Sequence, residues 1–338
     1  MVAASSIIMM AINALIGIVA PFLLAWWVVK KFKSGLKSVL TGAGVFVVFA
    51  LILESIVHQI VLKGPHGPAI IGNTYYYALY GGLMAGLFEE TGRFLSMKLI
   101  LKKESPAAGT AISYGVGHGG IELLLLFGAT MISNITISAL MNAGNLDMLL
   151  AGVPEANRAQ VQTQLEGLQT LTVTTLLYGL WERVSAIILQ VGLSIIVWTA
   201  VRKGGKWLWL FPAAILLHAL VDALAVIISK SVDMLATEIV VFALAIAVGT
   251  IGWMLAKRPN AEAAAHSSAS PAADPAPDPS SAIPAAAAAA FGAGATAAAS
   301  PAPKATGPAP IAAATASPAA PAAHDAPASP DPGTTPAE

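Results

Sequence analysis

Three short groups of ionisable residues interrupt otherwise apolar sequence. They are Glu89-Glu90-Thr91-Gly92-Arg93, Gly117-His118-Gly119-Gly120-Ile121-Glu122 and His218-Ala219-Leu220-Val221-Asp222. Residues three and four apart share a helix face. Arg93 can therefore face both Glu89 and Glu90, and each His lies one turn from an acid. A carboxylate so placed can orient an imidazole and set its tautomer. The glycines around His118 thin its helix and admit close approach by another helix or a ligand. Two His with carboxylates form the side-chain set that zinc hydrolases use. The plainer alternatives are structural: an ion pair that fixes helix packing, or a His that hydrogen-bonds between helices. Ionisable groups inside a membrane span are expensive, and are usually functional.

Two further groups carry less. Glu182-Arg183 are neighbours in sequence and point about 100° apart on a helix, so each is expected to seek a partner on another helix. Glu54 and His58 are again four apart, near the end of an apolar stretch, where a structural role is the favoured reading.

These residues need helices to bring them together, and composition says what kind. The chain has 338 residues, 56% hydrophobic and 11% charged. Soluble domains carry about a quarter charged residues, so most of this chain does not face water. Its net charge of zero points to no nucleic-acid partner. There is no cysteine, which excludes disulfides, thiolate metal sites and cysteine-protease chemistry.

A spanning helix needs about 20 mostly apolar residues. Seven stretches qualify: Ile7–Val29, Ser38–Leu62, Tyr75–Leu101, Ala107–Met141, Thr170–Val201, Trp207–Ser229 and Leu235–Ala256. The fourth and fifth exceed a minimal span, which predicts tilt, kinks or protruding ends. The first has no basic residue before it and lysines after it, which reads as an anchor with its N-terminus outside, not a cleaved leader. Alternate connections carry Lys30, Lys31, Lys33 and Lys37; Lys98, Lys102 and Lys103; Arg202, Lys203 and Lys206; Lys257 and Arg258. The intervening ones carry Lys63, Arg158 and Lys230. By the positive-inside rule, the N-terminus is outside and the C-terminus cytoplasmic.

The expected fold is thus all-α, a polytopic transmembrane bundle of about seven helices over residues 1–258. Residues 259–338, rich in Ala, Pro, Ser and Gly, read as a disordered cytoplasmic tail. The connection Gly144–Gln169 reads as a surface loop with a short amphipathic helix. Measured from the lysine-rich ends, Glu90, His118 and His218 each lie roughly 16–20 Å deep at 1.5 Å rise per residue. Three helices thus place them at one level, with Glu182 nearer the outer side.

In order, spacing and placement on separate helices, Glu89-Glu90-x-x-Arg93, Gly117-His118-Gly119-Gly120-x-Glu122, Glu182-Arg183 and His218-x-x-x-Asp222 resemble the YhfC family of intramembrane metalloproteases. That family is similar to the CAAX prenyl endopeptidase and bacteriocin-processing protease group. The resemblance covers about Ile7 to Arg258. It implies an active site of Glu89, Glu90 and Arg93, then His118, then His218 and Asp222. Two departures stand out. Two residues separate Glu90 from Arg93, where the wider group has three, and position 190 is Gln190 where the YhfC pattern implies a His. No HExxH element is present.

The function so implied is an intramembrane endopeptidase, bound to membrane lipid, that cuts a membrane-proximal peptide reached from the cytoplasmic side. Glu89 or Glu90 would activate water. His118 and His218, with Glu122 as a further candidate, would hold zinc, or the two His would donate to the oxyanion if no metal binds. Arg93 would hold the second Glu, and Asp222 would orient His218 or serve as a ligand. A membrane scaffold without catalysis is the second reading, and a proton-coupled transporter the third.

Overall fold

A computed structural model describes residues 1–151 and 153–257. The expected disordered tail, 259–338, lies outside the described residues, as does Arg258.

Every regular element among the described residues is helical. They are α1 (Ala4–Phe32), α2 (Leu36–Leu62), α3 (Gly67–Ile71), α4 (Thr74–Leu99), α5 (Ala108–Asn142), α6 (Leu146–Ala151), α7 (Glu155–Thr170), α8 (Val173–Lys203), α9 (Leu210–Ser229), which a short 3₁₀ helix, Gly205–Trp209, leads into, and α10 (Met234–Ala256). The seven long helices correspond to the seven expected segments, with ends shifted by a few residues. Six of them are long and apolar enough to cross a membrane. The seventh, α4, has 26 residues, about 39 Å at helical rise, which exceeds a hydrocarbon core of about 30 Å. Its lower apolarity comes largely from Glu89, Glu90 and Arg93, all buried in the bundle. The chain is a multi-pass membrane protein.

Local sequence explains where the helices start. Asn73 accepts from the backbone N–H groups of Tyr75 and Tyr76, Thr172 from that of Thr175, and Asp233 from that of Ala236. Lys33 ends α1 in the left-handed conformation, at φ 50°. Where one short helix was expected within Gly144–Gln169, two are present, α6 and α7. The fifth expected segment runs unbroken for 31 residues as α8. The fourth contains a π-helical stretch, Leu123–Gly128, and α2 contains another, Phe46–Glu54. Such stretches widen the turn and rotate the downstream part of the helix about its axis. The first begins directly after Glu122 and the second ends on Glu54.

Packing centres on pairs that sequence order does not announce: α4 with α9, α8 with α10, and α5 with both α2 and α8. Small residues permit it. A Cβ on Gly117 would collide with the Val39 carbonyl, and one on Gly42 with that of Tyr114, so α2 and α5 cross backbone to backbone one residue from His118. A Cβ on Gly82 would collide with the Ala219 carbonyl, which holds α9 against α4 one residue from His218.

The buried side chains fall at two levels. Met97, Leu101, Ala111, Tyr114, Leu193, Ile196, Val197, Ala214 and Val248 pack the half toward the lysine-rich ends. Met9, Met10, Met131, Leu165, Leu168 and Leu176 form a second cluster under α7, toward the other ends. At the first level, aromatic rings carry the flanking cations: Lys30 sits over Trp26, Lys98 over Phe94, Arg202 over Trp198 and Lys257 over Trp253. Aromatic rings and cations of this kind mark a membrane interface.

Candidate active site

The two carboxylates of α4 diverge to different histidines. Glu89 Oε2 lies 2.9 Å from His118 Nε2 on α5, and Glu90 Oε1 lies 2.9 Å from His218 Nδ1 on α9. Glu90, His118 and His218, expected at one depth, thus meet through two Glu–His pairs that start from adjacent residues of α4. Phe46 of α2 sets its ring edge against His118, with centroids 5.1 Å apart.

Arg93 is fully buried. Its Nε lies 3.5 Å from Glu90 Oε2, at ion-pair distance from the second Glu. Its two terminal nitrogens go elsewhere, to the backbone carbonyl of Gln190 at 3.1 Å and to the Gln190 side-chain oxygen. Gln190 in turn donates to Glu89 Oε2 at 3.0 Å and to Glu122 Oε2 at 3.3 Å. One buried amide on α8 therefore ties together Arg93, Glu89 and Glu122. The sequence marked Gln190 only as a departure from a family pattern, and a polar residue within an apolar stretch was the signal of a buried role.

Other residues take partners that helical spacing did not indicate. Glu122 does not serve His118; it accepts from Arg183 at 3.1 Å. Arg183 also donates to Glu182. Arg183 thus finds the expected partner on another helix, Glu122 of α5, and its long guanidinium arm also bridges the angle to its sequence neighbour Glu182, a pairing that helical spacing did not predict. His218 Nε2 stands 3.6 Å from Asp222, beyond hydrogen-bond length. Glu90, not Asp222, therefore orients the ring. Glu54 meets His58 at 3.1 Å, and His58 meets the Tyr80 hydroxyl at 2.8 Å.

These groups border a cavity of about 580 Å³. Glu89, Glu122, Glu182, Arg183, Gln190, His218 and Asp222 line it, together with Glu54, His58 and Tyr80. Glu90, Arg93 and His118 do not, and stand behind the wall. The site thus has a front, Glu89 and His218, and a back that holds each of them: His118 and Gln190 for Glu89, Glu90 for His218. Glu89 Oε2 carries both of its bonds, and Oε1 has no partner among the described residues.

The donors are of the kind zinc takes, His nitrogen and carboxylate oxygen. Their arrangement does not make a zinc site. Among the described residues no three His, Asp or Glu side chains converge to hold a metal. Of the three expected ligands, His118 is turned to Glu89 and Glu122 to Arg183 and Gln190. Only His218 Nε2 and Asp222 Oδ2 remain as neighbouring cavity-facing donors, fewer than a catalytic zinc takes from its protein. Metal content by mass spectrometry tests this directly. His118→Ala is expected to leave bound zinc at the wild-type level. Zinc that is near-stoichiometric in wild type and lost in both His118→Ala and His218→Ala would show the two rings sharing one ion, and overturn this geometry.

A family model described as YhfC intramembrane metalloprotease matches residues 14–246. The chain is also 34% identical over 260 residues to "Uncharacterized membrane protein YhfC" of Bacillus subtilis (strain 168), an alignment that spans 76% of this chain and 99% of that protein. No solved structure matches.

Proposed function

The chain belongs to the YhfC intramembrane metalloprotease family, and from that premise we propose that it is an endopeptidase that hydrolyses a peptide bond inside or beside the membrane. The family description implies a metal cofactor. Zinc suits the types of side chain present, but the two neighbouring donors His218 Nε2 and Asp222 Oδ2 do not make a site that fits it, and the steps that follow are those of the chain's own residues.

One observation carries the reading: Glu89 and His218, from different helices, face one cavity, and each is fixed from behind by a second ionisable side chain. Catalytic groups must be held within tight tolerances, and paired supports behind them provide that. Of the two adjacent carboxylates, Glu89 is the base, because it lines the cavity and Glu90 does not. Its Oε1 takes a proton from a water, whose oxygen attacks the scissile carbonyl carbon. The tetrahedral oxyanion is stabilised by the His218 Nε2–H group, while the Nδ1–H of the same ring donates to Glu90. Glu89 returns the proton to the departing amine as the C–N bond breaks. His118 and Gln190 keep the Glu89 carboxylate aimed throughout.

The lysine-rich helix ends face the cytoplasm in this reading, which places the C-terminal tail there and the bundle in the cell membrane. The partners are membrane lipid and a membrane-associated peptide or protein. The test is a comparison of membrane-protein fragments in cells that carry wild type or Glu89→Gln. Fragments present only with wild type, and reproduced by the purified protein in liposomes, support a protease. No wild-type-dependent fragment in either setting leaves a scaffold role and sinks this proposal.

A further inference from the structure

The cavity occupies one half of the bundle. Along α2 it is lined from Phe46 to Leu62, and along α4 from Glu89 back to Tyr77. On α5 its wall runs from Glu122 to Asn134, on α8 from Gln190 back to Thr175, on α9 from His218 to Val226. The helices alternate in direction, so all these runs lead to the same side. That side holds the connections 63–73, 143–172 and 230–233, the ones with few lysines.

The other half is filled. Beyond Glu89, His118 and Gln190 toward the lysine-rich ends, the interior is closed by Met97, Tyr114, Leu193, Ile196 and Val197, each 0% or 1% exposed. The Gly117–Val39 and Gly42–Tyr114 backbone contacts close the seam between α2 and α5 at the same level. Close-packed interiors of this kind leave no passage for a peptide. The expectation of entry from the lysine-rich, cytoplasmic side does not agree with this packing.

We propose that the site draws its substrate from the lysine-poor, extracytoplasmic side, and that the bond it cuts lies in a peptide segment on the outer half of the membrane. This rests on the protease reading for what happens at the site, but the route itself is a property of the bundle. Glu89 and His218 lie at the filled end of the cavity, and its lining extends to Tyr77, Asn134 and Thr175 toward the lysine-poor ends. The polar loop that carries α6 and α7 sits at that end.

The natural absence of cysteine makes the test clean. Single cysteines are placed in the full chain at Ala85 and Thr130, which line the cavity, at Asn145 and Lys103 as exposed markers of the two sides, and at Ser113 in the filled half. A charged, membrane-impermeant thiol reagent is applied to intact cells and to inverted vesicles. Ala85→Cys and Thr130→Cys are expected to react from the side that labels Asn145→Cys, and labelling from the Lys103→Cys side is expected to be lost. Ser113→Cys is expected to stay unlabelled from both. Reaction of the two cavity cysteines only from the Lys103 side, or from neither side while the markers label, would overturn the proposal. The readout needs no turnover, so the route stands or falls apart from the protease reading. If the labelling is as expected and no outer-side reporter peptide is cleaved, it is the catalytic reading that fails.

Discussion

Glu89→Gln will lose between about a hundredfold and ten-thousandfold in kcat, the usual worth of a positioned general base, with little change in KM. The substitution is close to isosteric, and the new amide oxygen can still accept from His118 Nε2 and Gln190. It removes the proton acceptor and leaves the wall of the cavity in place. Glu90→Gln is the informative comparison. Glu90 sits behind His218 and does not line the cavity, so its loss acts through the ring it orients and is expected to be the smaller in kcat. The check is a single-turnover assay on reconstituted protein, with folding monitored by size exclusion and helical circular dichroism. Equal losses for both variants would mean that the carboxylates act as one unit, and the front-and-back division of the site would be wrong.

Arg93→Met will destabilise the bundle by about 3–5 kcal/mol, the cost of leaving a buried partner charge uncompensated. Glu90 and Arg93 are both 0% exposed. Without the guanidinium, Glu90 keeps only His218, and the Gln190 carbonyl and side-chain oxygen each lose a donor. The double variant Glu90→Gln/Arg93→Met will recover a large part of the loss, because a neutral amide needs no counter-charge and can still accept from His218 Nδ1. Thermal unfolding in detergent, completed as a double-mutant cycle, reads the coupling. A double variant no more stable than Arg93→Met would show that the bonds to Gln190, and not the ion pair, are what Arg93 contributes. Arg93→Lys is expected to fall between, since a single ammonium cannot serve Glu90 and both Gln190 acceptors at once.

The sequence by itself determined the class of the molecule and the residues at its centre. Runs of about 20 apolar residues leave few alternatives to membrane helices, because only a helix satisfies its own backbone in lipid. Charged groups within those runs are so costly that their positions alone marked the interior of the bundle. Glu89, Glu90, Arg93, His118 and His218 were legible for that reason, and the common depth expected of Glu90, His118 and His218 followed from helical rise. What helical spacing misled on was partners. His118–Glu122 and His218–Asp222 are one turn apart, yet each His hydrogen-bonds to a carboxylate of α4, because a buried side chain takes the nearest acceptor in space: glycine contacts set α9 against α4, and the Glu89 side chain reaches across to His118 on α5. Only the tertiary structure could separate Glu89 from its neighbour Glu90, since adjacent residues on a helix point to different sides and the choice depends on where the other helices leave room. Gln190 became a hub for the same reason: its amide has two donors and an acceptor, and only the packing of α8 beside α4 and α5 decides which groups they meet. The side on which the cavity opens was likewise decided by packing. Large apolar residues are spread through every helix, and a linear pattern does not say which of them interdigitate to close one end and which stand apart to leave the other open.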